Sequence, residues 1–292
     1  MKIVVPSPPS GGTDIIARVL AQDFTKVFGQ QFIVENKPGA GNMIGIESVA
    51  RSAPDGYTVL MVASTLALNS VLYKKVSYDP IRDFAPITLA ATAPNIFIVN
   101  TAVPAKNLGE LLALAKQKPG QLSYGTPGVG TSPHMSTELM KSMAGIDLQH
   151  VPYKGTAPAL TDVIGGQICC MFSNALTALP HIQSGRVRAL GVSGPKRLAA
   201  APDIPTIAEA GVPGYAAMQW YGLVAPAGTP SAIISRLNAE ALKALRSEEM
   251  KKRLAADGAE PVGTSPAEFG SFIKAELDKW TRVAHDAHIE PQ

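Results

Sequence analysis

The sequence predicts an α/β protein with largely parallel sheets, and three observations carry that prediction. Short apolar, strand-like runs alternate with segments of helical period for most of the chain. Two of those runs pass through small residues straight into a helix. A chain of 292 residues, 46% hydrophobic and 17% charged, is long enough and apolar enough to bury two separate cores.

In chain order the strand-like runs are KIVVP, QFIVEN, YTVLMVA, NIFIVN, QLSYG, QICCMF, VRALGVS and YGLVAP. The clearest helix is residues 13–28, where Ile15, Ile16, Val19, Leu20, Phe24, Val27 and Phe28 recur at three- and four-residue spacing before Gly29 ends it. Residues 230–285 read as nearly all helical. Pro230 after Thr229 and Pro266 after Ser265 fall where first-turn prolines belong. No repeat, low-complexity tract or flexible linker divides the chain. Instead, NIFIVNTAV near residue 100 and MQWYGLVAP near residue 220 read as crossings between two lobes, 1–100 plus 221–292 and 101–220. A ligand is then expected between the lobes, at the carboxyl ends of the strands, with the lobes closing on it about those crossings.

Composition excludes several classes. A net charge of +3 with no basic, aromatic-interleaved cluster argues against nucleic acid and anionic membrane as partners. The longest apolar stretch, YTVLMVASTLAL, is broken by Ser64 and Thr65 and is too short to span a bilayer. Met1 and Lys2 lead directly into the first strand, so no signal peptide is visible. Cys169 and Cys170 are adjacent, which strains a bond between them and favours two free thiols.

Two loops carry the functional signal. In VVPSPPSGGTDIIARVL, Val4 to Leu20, a strand ends in Pro, Ser and Gly before a helix that opens with Thr13 and Asp14. In LSYGTPGVGTSPHM, Leu122 to Met135, Thr131 or Ser132 caps a helix with Pro133 at its first position. Either loop alone reads equally as a tight turn and as an anion site. Together they can aim backbone N–H groups and helix dipoles at one anion, and neither contains a Lys or Arg before its helix.

Nucleotide motifs fail on spacing. No Lys-Ser/Thr follows a Gly-rich loop, GVGTSP has Pro133 where the dinucleotide fingerprint needs Gly, and GAGNMIG is one residue too long. No G-x-S-x-G elbow is present, and Ser132 with His134 share one helix start, poor geometry for a nucleophile and its base. Of His134, His150, His181, His285 and His288, only His285-x-x-His288 has a metal-like spacing, and it reads as a solvated helix face. No metal and no cofactor is expected. His134 is either a helix-start residue or a ligand donor.

These residues carry a resemblance. IVVPSPPSGGTDIIARVLA, VENKPGAGNMIGIESVARSAPDGYTVLM, LSYGTPGVGTSPHM, ALPHIQSGRVRALGVSGPKR and DIPTIAEAGVPGY occur in the order seen in the substrate-binding proteins of tripartite tricarboxylate transporters, the Bug family. The resemblance covers essentially the whole chain. It implies a two-lobed periplasmic-binding-protein fold of the type II, Venus-flytrap kind, each lobe a mostly parallel sheet flanked by helices. It implies a monomeric periplasmic receptor that captures a carboxylate and delivers it to a membrane permease, and a signal peptide that this chain no longer carries.

Carried over by position, the resemblance places the first carboxylate loop on Ser10, Gly11, Gly12, Thr13 and Asp14, and the second on Thr126, Gly128, Gly130, Thr131, Ser132 and His134. Ser64 and Thr65, and Tyr153 with Lys154, border the same cleft. Ser10 stands where the family usually has Gly, and Ser173 where many members have Asp. A carboxylate is a suitable anion for such loops, because N–H groups and hydroxyls can replace its water shell without a fixed cation. Without an Asp at 173 to receive an ammonium, the expected ligand lacks an α-amino group: an aliphatic dicarboxylate, or an aromatic acid for which Tyr153, Trp220 and Tyr221 could supply walls, although core packing explains those aromatics about as well. Two other classes stay open at this stage. One is an enzyme using His134 or Asp14 as acid or base. The other is a ligand-presenting partner of a membrane sensor.

Overall fold

The structure is a computed structural model and describes residues 1–9, 12–256, 258–287, 289 and 291. The chain forms two compact units, chiefly Met1–Thr92 with Trp220–Arg282, and Ala93–Gln219.

The first unit begins with β1 (Lys2–Val5), α1 (Gly12–Phe28), β2 (Ile33–Asn36), a short 3-10 turn (Ala40–Asn42), α2 (Met43–Ala50), β3 (Thr58–Ala63) and α3 (Thr65–Leu72). β1 lies between β2 and β3 and is parallel to both, with Ile3 opposite Val34 on one side and Val59 on the other. Ile3, Val4 and Val5 are wholly buried, as a central strand covered on both faces requires. α1 buries Ile16, Ala17, Leu20 and Phe24, whereas Val27 is 46% exposed and faces out. Phe24 meets Phe28 and Phe32 edge-on and those two rings pack tilted on each other around the helix end, which fixes the route into β2.

The chain passes into the second unit along β4 (Phe84–Asn100), a 17-residue strand of which NIFIVN is only the end. There follow α4 (Leu108–Gln117), β5 (Ser123–Thr126), α5 (Ser132–Ala144), β6 (Gln149–Pro152), α6 (Thr156–Ile164), β7 (Cys170–Asn174), α7 (Ala175–Gln183) and β8 (Val187–Val192). β5 is parallel to β6 and β7, while the crossing strand β4 runs antiparallel to β7 and β8. Ile96, Ile98, Val163, Met171 and Val192 form its core.

The return to the first unit is β9 (Met218–Pro226), antiparallel to β3. α8 (Ser231–Leu245), α9 (Glu248–Ala256), β10 (Glu260–Pro261) and α10 (Pro266–Asp286) complete the described chain. The expected helical tail is thus interrupted by a two-residue strand paired with Ala91 and Thr92 of β4. Pro266 is the first residue of its helix, and Ser265 and Glu268 bond each other's backbone N–H in a capping box. Pro230 differs: its ψ of 137° leaves it before the helix, as the cap residue.

Trp220 is not a free aromatic wall. It is fully buried, packs edge-on against Phe269 and Phe272, and donates its indole N–H to Glu276 at 3.0 Å. Cys169 and Cys170 are both free thiols, the second of them buried.

Candidate ligand-binding site

In the first unit the carboxyl ends of β1, β2 and β3 open at one edge, and the antiparallel pairing of β9 puts Tyr221 there too, opposite Ala63. Of the first loop, Ser10 and Gly11 lie outside the described residues. Gly12 opens α1 directly beneath Tyr221. A Cβ at Gly12 would stand 2.6 Å from the Tyr221 hydroxyl oxygen, so only glycine fits without moving the ring. Thr13 is buried beside it.

Asp14 is 2% exposed and committed within its own unit. Its two oxygens take the Arg18 guanidinium at 2.8 and 3.0 Å and the Asn36 amide at 2.9 Å. Asn36 also reaches the Ser7 carbonyl at 3.0 Å, so this network ties helix, loop and β2 together.

Ser64 is buried at the start of α3, and Thr65 follows it half-buried. The turn over residues 39–42 lies against them. Ala40 (φ 47°) and Asn42 (φ 75°) both adopt the left-handed region, an uncommon and strained pair for non-glycine residues. Two bonds hold them there: Asn69 donates to the Gly41 carbonyl at 2.8 Å, and Asn42 Nδ2 donates to Thr65 Oγ1 at 3.2 Å.

In the second unit β5, β6 and β7 end at one edge, where the pairing of β4 with β7 begins with Asn95 opposite Asn174. The loop after β5 is folded on itself. Thr131 Oγ1 donates to the Gly128 carbonyl at 2.8 Å. Thr126 Oγ1, fully buried, meets His150 Nε2 at 2.7 Å. Gly130 sits at φ 76° and donates its N–H to His134 Nδ1 at 3.2 Å. α5 starts at Ser132, so Pro133 occupies the second helical position rather than the first. The first-turn N–H groups, Ser132 and His134 among them, have no intrahelical acceptor and open this edge. Asn95 Nδ2 donates to Ser132 Oγ at 3.2 Å.

His134 resolves toward a bracing role. It is 5% exposed and stacked on His150 at 4.3 Å, which itself stacks on Tyr124 at 4.8 Å. Burial, then the neighbouring His150 and Lys141, push the His134 pKa down to about 3. The ring is neutral, and accepting at Nδ1 places its proton on Nε2. His150 is lowered too, chiefly by burial. Beneath the stack the Tyr124 hydroxyl donates to Glu138, which takes Lys141 at 2.9 Å.

Tyr153 turns inward. Its hydroxyl donates to Asp162 at 2.6 Å and its ring packs on the unit's apolar core; burial first, then Asp162, push its pKa up to about 12. Lys154 is exposed. Ser173 is fully buried, in register with Ile96, and its hydroxyl contacts the Asn174 carbonyl at 3.5 Å.

The structure therefore gathers Gly12, Thr13, Ser64 and Thr65 at one edge and Thr126, Gly128, Gly130, Thr131, Ser132 and His134 at the other. It directs Asp14 and Tyr153 into structural bonds. Sequence reasoning missed Asn42, Asn95 and His150. Among the described residues no group of His, Cys, Asp and Glu could hold a metal ion, and no helix is long and apolar enough to cross a membrane. His285 bonds Asp286, while His288 lies outside the described residues.

The profile of the family described as tripartite tricarboxylate transporter family receptor matches residues 16–289. The chain belongs to that family. Three solved structures resemble it across nearly their whole length. Rpa4515 of R. palustris, solved with adipate, is 36% identical with a TM-score of 0.82, covering 100% of this chain and 98% of its own. The periplasmic binding protein BugD is 33% identical with a TM-score of 0.79, over 100% and 98%. MatC of Rhodopseudomonas palustris, solved with bound malate, is 31% identical with a TM-score of 0.78, over 97% and 98%. The fold of this family receptor is thus the two-lobed, type II periplasmic-binding-protein fold, with sheets that are parallel apart from the crossing strands.

Proposed function

We propose that this receptor captures a small carboxylate without an α-amino group in the periplasm and delivers it, unchanged, to the permease of a tripartite tricarboxylate transporter. The observation that carries the reading is the loop over residues 126–134. It is a strand end, two glycines and a helix start, braced from behind by His134, and it offers hydroxyl and N–H donors rather than a cation. Such donors can replace the hydration of a carboxylate and still let it go. Adipate and malate in related receptors support a carboxylate as the ligand.

The ligand class follows from what is already engaged. An ammonium group would need an acidic partner, and Asp14 is bound by Arg18 and Asn36 while position 173 holds a buried serine. Trp220 belongs to the core and the Tyr153 hydroxyl to Asp162, which weakens the case for an aromatic acid. An aliphatic dicarboxylate is favoured. The same commitments of Asp14 and His134 speak against an enzyme using them as acid and base.

A thermal-shift panel of succinate, malate, adipate, terephthalate, aspartate and glutamate tests this, since a ligand that binds only the folded state raises the melting temperature. Stabilisation by the dicarboxylates is expected. Stabilisation by aspartate or glutamate alone would contradict the ligand class.

A further inference from the structure

Four of the hydroxyls at the two strand edges differ in how they are bonded. Thr131 Oγ1 gives its proton to the Gly128 carbonyl, and Thr126 Oγ1 is engaged by His150 and Gly128. Thr65 Oγ1 and Ser132 Oγ instead accept an asparagine amide N–H, each at 3.2 Å, from Asn42 and Asn95 respectively. Each unit has one such pair among the described residues, on the half-buried hydroxyl that heads α3 in the first and α5 in the second.

We propose that Asn42 and Asn95 are positioning residues that fix the polarity of the ligand-binding hydroxyls. A hydroxyl has one proton, and an N–H donated to its oxygen excludes the rotamer in which that proton points back at the donor. The donated bond also polarises the O–H, which strengthens what it gives onward. Thr65 and Ser132 are thereby presented as donors, suited to a group that only accepts, such as a carboxylate. A primary amide of the same size must also donate, and one of the two lone pairs on each hydroxyl oxygen is already taken by an asparagine. The proposal rests on the receptor reading above and names the part of the site that tells acid from amide.

The supporting frame makes the device rigid. Asn95 is 5% exposed, and its backbone N–H and C=O are both tied to Ser193, at 2.8 Å each. Its side chain can therefore be truncated without loosening the strand. Asn42 holds a left-handed φ of 75°, which glycine adopts freely, so Asn42→Gly removes the amide and keeps the turn.

The test is a pair of double-mutant cycles read by calorimetry: Asn95→Ala with Ser132→Ala, and Asn42→Gly with Thr65→Ala. The probe is the tightest binder among succinate, malate, adipate and terephthalate, alongside its own monoamide. Thermal unfolding checks that each variant is folded. Asn95→Ala should weaken the acid about threefold to tenfold, narrow the acid-to-monoamide ratio, and add nothing once Ser132 is alanine. The second cycle should behave alike. Additive losses in both cycles, or an unchanged acid-to-monoamide ratio, would overturn the proposal while leaving the receptor reading intact. Failure of the unmutated protein to bind any of the acids would overturn both.

Discussion

The N–H of Gly130 donates to Nδ1 of His134 across 3.2 Å, so the loop that carries Ser132 closes on a neutral imidazole. The bond exists only while Nδ1 is unprotonated. His134→Asn, whose side-chain oxygen can stand near the Nδ1 position, should preserve most of the carboxylate affinity. His134→Leu leaves the glycine N–H without its acceptor and should weaken binding by about 1–3 kcal/mol. Calorimetry on the two variants checks this; equal losses would mean the ring's bulk, not its nitrogen, holds the loop.

The same burial sets a pH dependence. The folded pKa of His134 is depressed to about 3, below the ordinary value near 6.5, and His150 is shifted the same way. Between those values the unfolded chain binds more protons than the folded one, so stability falls as pH falls. The contribution is complete above about pH 6.5 and is lost progressively toward pH 3. Melting temperatures measured from pH 8 to pH 4 should decline below about 6.5, and less steeply in a His134→Asn, His150→Gln double variant.

Much of this is legible in the amino-acid sequence. Both strand-to-helix loops lie within a few residues of sequence, and their small residues and helix starts are local signals. What each side chain does at the edge was not legible, because its partner comes from elsewhere. Ser132 is 37 residues from Asn95, and Thr65 is 23 from Asn42. Trp220 read equally as a wall for a ring and as core packing, because nothing local reveals that Phe269, Phe272 and Glu276 enclose it. The first half of β4 escaped notice because Pro86, Pro94 and a run of alanines dilute its apolar pattern, although the sheet makes it one strand.

Thr131 and Ser132 are adjacent hydroxyls with different partners. Thr131→Ala removes an internal loop bond and should cost stability of about 1 kcal/mol. Ser132→Ala takes the acceptor from the Asn95 amide and should cost comparable stability, but it should also weaken carboxylate binding by about 0.5–1.5 kcal/mol, which Thr131→Ala should not. Paired unfolding and binding measurements separate the two, and a reversed assignment would show that Thr131 meets the ligand.

Gly12 and Tyr221 should be energetically coupled. Gly12→Ala drives a methyl group into the tyrosine ring and should destabilise the unit by about 1–3 kcal/mol. In a Tyr221→Ala background the ring atoms nearest the added methyl are gone and its cost should fall. Chemical denaturation of the single and double variants measures this, and additive losses would refute the contact.

Asp14 should matter to the frame rather than to chemistry. Asp14→Asn breaks a buried, doubly bonded carboxylate–guanidinium contact and should lower stability by about 1–3 kcal/mol. Ligand affinity of the folded variant should change little. A selective loss of binding with normal unfolding would return Asp14 to the ligand.

Whether the anion itself is recognised can be measured in one comparison. Calorimetric titration of the purified protein with each dicarboxylate and with its dimethyl ester removes the charge and keeps the carbon chain. The account predicts saturable one-to-one binding of at least one acid, no measurable binding of its ester, and recovery of the acid chemically unchanged. Ester binding as tight as the acid's, or conversion of the acid during the titration, would contradict it.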